Sequence, residues 1–283
     1  MRRIRGFPIY KKAAGEHLMP KISVICGAYN AASHPMFERS VESILNQSFT
    51  DFEFIICDDG STDGTYKALV DYSKRDSRIK VLKNEKNLGL AKALNRCLDI
   101  AKGDYIARQD LDDCSDTKRF KIQLDYLERN RDTAFLGTSV YLFDGSGILG
   151  LQTVTEKPKE RDFLFNNPYK HGSVIFRREA ILQANGYNTS KKVTRCEDYE
   201  LFMRMHLFCR GANLTLPLYY FCEDRAARKR RKYVYRINEA RVRYHGFKAL
   251  GLMPWAFPYV IKPLVVGLLP HFVITGLRNI KKL

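Results

Sequence analysis

The 283-residue sequence lacks both common glycine loops that cradle phosphate. Neither Gly-x-Gly-x-x-Gly nor Gly-Lys-Ser/Thr follows its first strand-like run. A bound diphosphate would therefore need a metal and cationic side chains to neutralise it. Cys-x-x-Cys is absent too. The seven cysteines (26, 57, 97, 114, 196, 209 and 222) are scattered and odd in number. That argues against a disulfide framework or a zinc site and for a reducing compartment. The basic N-terminus has no apolar core region, since residues 7–20 mix Pro, Lys, Gly, Glu and His, so no signal peptide is expected. Acids are the minority charge, 31 Asp and Glu against 48 Lys and Arg, giving a formal +17. Such an excess implies an anionic partner: nucleic acid, nucleotide or a membrane surface. Apolar content of 45% and 28% charged residues indicate a globular chain, long enough for one large α/β domain plus an appendage.

What is present alternates. Ile22–Cys26 is a nearly continuous apolar run, the pattern of a buried parallel strand. It ends in Gly27-Ala28-Tyr29-Asn30. Helical spacing follows over 34–48, then a strand over Phe52–Cys57 ending in Asp58-Asp59-Gly60-Ser61. A further helix, a short strand at Ile79–Leu82, a helix over 88–101 and a strand over 104–109 complete the first half. Strands alternating with helices through short connections predict a largely parallel sheet. Ligands in such sheets bind beyond the carboxyl ends of the strands, where strand order reverses. Tyr29-Asn30, Asp58–Asp63 and Asp110–Asp113 all lie at such ends and are expected on one rim. Beyond them the sequence predicts a helix over 118–130, strands over 133–143, 171–178 and 213–222, a helix ending near Asn185-Gly186, and another over 196–209. Residues 148–170 carry no clear pattern.

The stretch 104–113 organises the rest. Tyr105, Ile106 and Ala107 lead into Asp110, Asp112 and Asp113. At ~4 Å, two like charges cost about 1 kcal/mol in water and about 4 at an effective dielectric of roughly 20. A cation offsets that cost. Hard oxygen ligands suit Mg²⁺ or Mn²⁺, and Mg²⁺ is commonly held by one or two carboxylates plus substrate phosphates. The alternative is a solvated acidic turn that caps the next helix. Glu197 and Asp198 carry their own alternative, as acids suited to the positive end of a helix.

In this order and at these distances the motifs resemble the inverting family 2 glycosyltransferases of GT-A fold, over roughly Lys21 to Cys222. They comprise Tyr29-Asn30, Asp58-Asp59-Gly60-Ser61, Asn87-Leu88-Gly89 with Asn95, Ile106–Asp113, Arg119 and Gln123, His171-Gly172-Ser173, and Glu197-Asp198. Bacterial transferases that build lipopolysaccharide, capsule or exopolysaccharide are the nearest in type. The resemblance implies a Rossmann-like central sheet, mostly parallel, flanked by helices. It implies a sugar nucleotide as donor, with UDP favoured, and a glycan or lipid-linked acceptor. Ala28, Tyr29, Asn30, Asp59, Gly60, Ser61, Asn87, Gly89, Lys92, Arg108, Asp110 and Leu111 would form the nucleotide site. Tyr29 would stack on the base and Asp59 would accept its imide hydrogen bond. Asp112, with Asp110, would hold the Mg²⁺ or Mn²⁺, and Asp113 would order the site. Asp198 would be the general base, with Glu197 second. His171, Gly172 and Ser173 would line the acceptor side. Cys26-Gly27, Gln109 and Cys114 depart from the usual pattern without removing a carboxylate. A sugar-nucleotide pyrophosphorylase is the enzymatic alternative. A non-catalytic membrane- or RNA-binding protein on a transferase scaffold is the other.

Three segments are expected: a basic lead-in (1–20), the transferase domain (21–223) and a tail (224–283). From Arg225 to Lys248 ten Lys and Arg face one acid, Glu239, with aromatic and aliphatic residues interleaved. This reads as a basic amphipathic helix. Leu250–Leu277 is apolar but broken by four prolines, and Pro263–Leu277 falls short of the ~20 residues that span a bilayer. Short interfacial helices with Trp255 and Tyr259 as anchors, on the inner face of the cell membrane, are the expectation. Packing on the domain or forming a homodimer is the alternative. No nucleic-acid partner is expected; that reading would predict binding that falls steeply with salt and needs no lipid.

Overall fold

The computed structural model describes residues 19–144, 147–223 and 232–269. Most of the expected lead-in, the basic stretch from Arg225 to Arg231, and the tail from Pro270 onward lie outside the described residues.

Four parallel strands open the fold: β1 (Ile22–Ala28), β2 (Phe52–Asp58), β3 (Ile79–Lys83) and β4 (Tyr105–Arg108). They are joined by α1 (Phe37–Leu45), α2 (Thr65–Arg75) and α3 (Leu90–Ile100). Their order is β3-β2-β1-β4, so the chain reverses direction across the sheet between β1 and β4. β1 and β2 are buried on both faces, which explains their unbroken apolar runs. Ile25 and Ile55 point into one core, Val24 and Phe54 into the other, as a period of two requires.

Beyond β4 the sheet is mixed. After the two-residue β5 (Cys114–Ser115) and α4 (Arg119–Arg129) come β6 (Thr133–Phe143), β7 (Ile148–Gln152), β8 (Ile175–Arg177), α5 (Arg178–Gln183), α6 (Glu197–Met205) and β9 (Arg210–Cys222). β8 lies antiparallel between β4 and β6, and β9 runs parallel to β6. β5 pairs antiparallel with β9, which ties the end of the acidic turn to the far side of the sheet.

Several expectations are corrected. Residues 171–178 do not form one strand: His171–Ser173 is a 3-10 turn, β8 is only three residues, and helix begins at Arg178. The turn arises because Ser173 and Val174 donate their amides to the carbonyls of Lys170 and His171. α6 stops at Met205, and the Leu207, Phe208 and Cys209 amides close back onto Arg204 and Met205 before β9 starts. The patternless stretch holds β7 and a 3-10 turn at Glu160–Leu164.

The tail packs on the domain through two helices, Tyr233–Ala249 and Phe257–Leu268. The longer one is not amphipathic in the expected sense, because Asn238 and Arg243 are buried while Val234 and Ile237 are exposed. Arg243 Nη1 donates to the Leu164 carbonyl at 2.9 Å, and its other nitrogens reach Glu239. Phe247 is fully buried in the same apolar cluster as Phe135, Phe176 and Phe202. Tyr259 is half-buried edge-on against Phe165 instead of projecting as an anchor. Among the described residues no helix is long and apolar enough to cross a membrane. Since Phe247 sits in the main core, Phe247→Ala should cost about 3–5 kcal/mol. Equilibrium urea denaturation measures this, and tail and domain should unfold in one transition.

Candidate active site

The site lies where strand order reverses, and its first wall is built by two loops that lock each other. The Asn30 amide donates to Ser61 Oγ at 2.9 Å, and Asn30 Oδ1 accepts from the Thr62 amide at 2.9 Å. The Ala31 and Ala32 amides both donate to Thr65 Oγ1. Asn30 takes a left-handed backbone (φ 48) to make this turn, and Tyr29 beside it is left half exposed. Gly60 (φ 71) allows the β2 loop to lie against the 84–89 segment, since a Cβ there would come 2.4 Å from the Lys86 backbone. Asn30 and Ser61 thus hold the loop, the Asn30 amide on Ser61 Oγ and its Oδ1 on the Thr62 amide, while the Ser61 amide donates to Asp58 Oδ2.

Asp59 is buried and accepts three hydrogen bonds. Its Oδ1 takes Asn84 Nδ2 at 2.6 Å and the Leu88 amide at 2.9 Å, and its Oδ2 takes the Gly89 amide at 2.8 Å. The carboxylate therefore shapes the turn that starts α3. Gly89 (φ 95) enters that helix in a left-handed conformation. Asn84 was not singled out from sequence, and it is in turn bonded by Arg96.

The acidic turn after β4 is held from below. Arg108 is fully buried and bonds Asp110 Oδ1, while its Nε and Nη1 find no partner among the described residues. Asp110 also donates its amide to the Tyr219 hydroxyl at 3.2 Å and lends its carbonyl to Ser40 Oγ at 2.9 Å. Leu111 turns into the core and is 5% exposed, so only its backbone faces the site. Asp113 is buried, with Oδ1 accepting the Cys222 amide at 2.7 Å. Burial first, then the charges of Asp112 and Asp110, push its carboxyl well above the usual range. Asp112 is the acid left facing solvent. The surrounding chain and then Asp110 push its carboxyl up to about 6. Arg119, buried under the turn, donates to the Arg108 carbonyl at 2.9 Å and Ser115 Oγ at 2.7 Å, and Nε to Gln123 at 3.0 Å.

These residues meet the demands of a divalent ion in one respect. Asp112 carries excess negative charge that a cation would relieve, with Asp110 next to it. No group of three or more His, Cys, Asp or Glu among the described residues could cage a metal alone. The donor set fits an ion that takes one or two carboxylates and completes its shell with phosphate oxygens and water.

A second group stands across from the acids. Asp198 Oδ2 accepts from Asn167 Nδ2 at 2.8 Å, at the start of α6. Lys170 lies within electrostatic reach of Asp198, and burial lowers the Lys170 ammonium against that attraction. Glu197 lies beside it, its carboxyl pushed up mainly by burial. His171 Nε2 pairs with the Tyr187 hydroxyl at 2.8 Å. Burial, then Arg108, push its imidazole down to about 4, so it is neutral at pH 7, and it feels both Asp198 and Asp110. Gly172 and Ser173 are buried. A Cβ at Gly172 would strike the Tyr219 hydroxyl at 2.3 Å, and Ser173 Oγ bonds the Lys170 carbonyl and the Thr138 amide. Both serve to bring Tyr219 and His171 to the turn.

One cleft of about 520 Å³ gathers Ala28, Tyr29, Asp59, Asn87, Gly89 and Lys92 on one wall and Glu197 on the other. Asn188–Lys191, Thr194, Arg195 and Tyr235 complete the far wall, and sequence reasoning missed them. A signal was present in Asn185-Gly186, where both residues are left-handed (φ 56 and 61) and throw the chain back toward α3. Asn95 then clamps Tyr187, donating to its carbonyl and accepting its amide, both at 2.8 Å.

The fold and the sequence are similar to those of known proteins. The sequence profile described as glycosyl transferase family 2 matches residues 23–186. A Bacillus subtilis protein named as a glycosyltransferase, EpsE, is 38% identical over 256 residues, covering 90% of this chain and 91% of its own length. The Escherichia coli UDP-Gal:alpha-D-GlcNAc-diphosphoundecaprenol beta-1,3-galactosyltransferase is 29% identical, covering 81% of this chain and 84% of its own. The Staphylococcus aureus TarS 1–349 structure in complex with UDP-GlcNAc superposes with a TM-score of 0.67 at 20% identity, covering 86% of this chain and 74% of that one. The fold is GT-A, and the chain belongs to glycosyltransferase family 2.

Proposed function

We propose that the protein transfers a sugar, with inversion, from a nucleoside-diphosphate sugar to a hydroxyl of a glycan or lipid-linked acceptor in bacterial cell-surface polysaccharide synthesis. The observation that carries this reading is the single cleft that joins Tyr29 and the Asp59-shaped turn to Glu197, the neighbour of Asp198. UDP is the favoured donor nucleotide, as in the TarS complex. The base would stack on the exposed ring of Tyr29 and bond the edge of the 87–89 turn. Asp59 accepts three hydrogen bonds that hold that turn and keeps one acceptor position on Oδ2, so its part in base recognition runs through the Leu88 and Gly89 backbone as well as its own oxygen.

Asp112, with Asp110 beside it, would hold Mg²⁺ or Mn²⁺, which supplies stabilisation of the charge developing on the leaving diphosphate. The remaining chemistry belongs to the chain. Asn167 fixes Asp198 Oδ2, which orients the carboxylate and leaves Oδ1 to take the proton of the attacking hydroxyl. Glu197 is the second candidate for that role. His171, neutral and bonded to Tyr187, can donate or accept one hydrogen bond but adds no positive charge. One displacement inverts the anomeric carbon, so an α-linked donor gives a β-linked product. Basic residues of the tail and the exposed stripe Phe257, Ile261, Val265 and Leu268, with Trp255 88% exposed, favour a peripheral place on the anionic inner face of the membrane.

Asp198→Asn should abolish transfer while UDP binding by calorimetry stays within about twofold of the parent; full turnover in this variant would refute the base assignment. Asp112→Ala should remove the part of UDP affinity that EDTA also removes. Because the Asp112 carboxyl sits up near pH 6, it holds a proton below that pH, and a divalent ion must displace it. Metal-dependent UDP binding should therefore weaken as pH falls through about 6 and be at full strength above it. Asp59→Ala leaves three donors unsatisfied, two of them backbone amides. It should destabilise the fold by about 1–3 kcal/mol and also weaken UDP binding, read by urea denaturation and calorimetry on one preparation.

A further inference from the structure

Three strands stand at edges of the sheet, and two of them are guarded. β3 carries Lys80 and Lys83, and β5 is only two residues long. Charge and shortness are common ways of keeping a second strand off an exposed edge. β7 has no such charge. It pairs with β6 alone among the described residues, so the other side of its backbone has no ladder. Ile148, Leu149 and Leu151 stand 60%, 42% and 52% exposed along it. From Gly145 to Thr155 the sequence holds no charged residue and no proline. The register shifts at Leu149, and Gly150 to Gln152 then pair regularly with Leu142 to Val140.

The chemistry of this edge limits what can cover it. A bilayer cannot, because it offers no partner to unpaired amides and carbonyls. Another strand satisfies them and buries the aliphatic side chains at once. An acidic partner would be drawn to the Lys- and Arg-rich surface and not to an uncharged strand. The chain's own +17 charge opposes contact between copies, and that repulsion is least where the sequence is uncharged. The strand is also self-complementary. A two-fold axis through Gly150 sets Leu149 opposite the partner's Leu151, and Ile148 opposite the partner's Gln152. Among the described residues a Cβ at Gly150 would meet nothing within 4 Å, so its own chain leaves the axis open.

We propose that β7 is a dimer interface, at which two copies of this chain pair antiparallel and join their sheets into one. The ladder runs from β7 through β6 and β9 to β5, which directly follows the acidic turn. The joined strands therefore belong to the half of the sheet that holds the turn. The pairing itself does not depend on the transferase chemistry.

The test is sedimentation velocity on the full chain over roughly 1–200 µM, because an interface centred on one strand is small and associates weakly. The parent is compared with Leu149→Lys plus Leu151→Lys, and with Ile261→Lys plus Val265→Lys on the exposed stripe of the last helix. The parent should be a reversible monomer–dimer. The β7 variant sets like charges opposite each other and should dimerise at least about tenfold more weakly. The helix variant should match the parent. A parent that stays monomeric overturns the proposal. So does a dimer that the β7 changes leave intact, or one that the helix changes alone disrupt. All four replaced side chains are at least partly exposed, so melting temperatures should stay close to the parent's and show that each variant is folded. Gly150→Cys reads the register. Across the two-fold its Cα atoms would lie about 4.5–5.5 Å apart, within the roughly 4.4–6.8 Å that a disulfide spans. With oxidised glutathione as oxidant, this variant should give a covalent dimer on a non-reducing gel, and the parent with its seven native cysteines should not. A dimer in solution that Gly150→Cys fails to cross-link overturns the pairing about Gly150.

Discussion

Three carboxylates within four residues repel one another, and the turn after β4 holds only because buried donors on other elements grip it. Arg108 takes Asp110 from beneath. Tyr219 and Cys222, both on β9, take the Asp110 amide and the Asp113 carboxylate. Arg119 on α4 fixes the carbonyl of Arg108 and the side chain of Ser115, so the turn is anchored at both ends. Arg119 does this without a direct carboxylate partner, and burial drives its guanidinium down to about 10. Its donors are satisfied by carbonyl and hydroxyl oxygens instead, which is how a buried cation is tolerated. The result is a division of labour among the acids. Asp113 becomes a structural group, buried and accepting the Cys222 amide, with its carboxyl pushed up by burial. Asp110 is half neutralised. Asp112, which has no cationic partner in the turn, is left with the most charge to offer.

The same logic explains why the mixed half of the sheet exists. A parallel sheet of β3-β2-β1-β4 would place the acidic turn at an open edge. β8 covers β4 antiparallel, and β9 returns beside β6 to meet β5. That return brings Tyr219 to within hydrogen-bond distance of the turn. Gly172 is the point where the approach is closest, and only a residue without Cβ permits it. A motif residue expected on the acceptor side thus acts through the packing that lets Tyr219 and His171 reach their places.

The catalytic half of the fold was legible because its signals are local. Buried parallel strands read as unbroken apolar runs, and polar clusters at their carboxyl ends fall together by topology alone. Asp59, Asp110 and Asp112 could be found this way, whereas Asp198, in the first turn of α6, was reached only through the family resemblance. Their partners could not. Tyr219 and Asn238 belong to a strand and a helix whose relevance appears only through tertiary contacts, at separations of about a hundred residues for Tyr219 and Asp110. The tail misled for a related reason. Its alternating basic and apolar residues look amphipathic, but Arg243 and Asn238 are buried because they satisfy carbonyls on the domain. A sequence pattern records polarity, not which polar groups will find partners.

Those two buried polar residues change what the tail is. A helix held to the domain by apolar contacts alone could shift by a turn at modest cost. Asn238 cannot shift without releasing the Lys191 and Thr194 carbonyls together, and Arg243 cannot without stranding a guanidinium beneath Phe247. The register of the helix is therefore fixed to the 188–195 segment, and through it to Glu197 and Asp198. Meanwhile the neighbouring helix shows its apolar stripe outward. One rigid unit then carries the far wall of the cleft on one side and an exposed apolar surface on the other. If that surface meets a membrane, the wall's distance from the lipid is set by the fold, and an acceptor anchored in the lipid would meet the cleft at a fixed height.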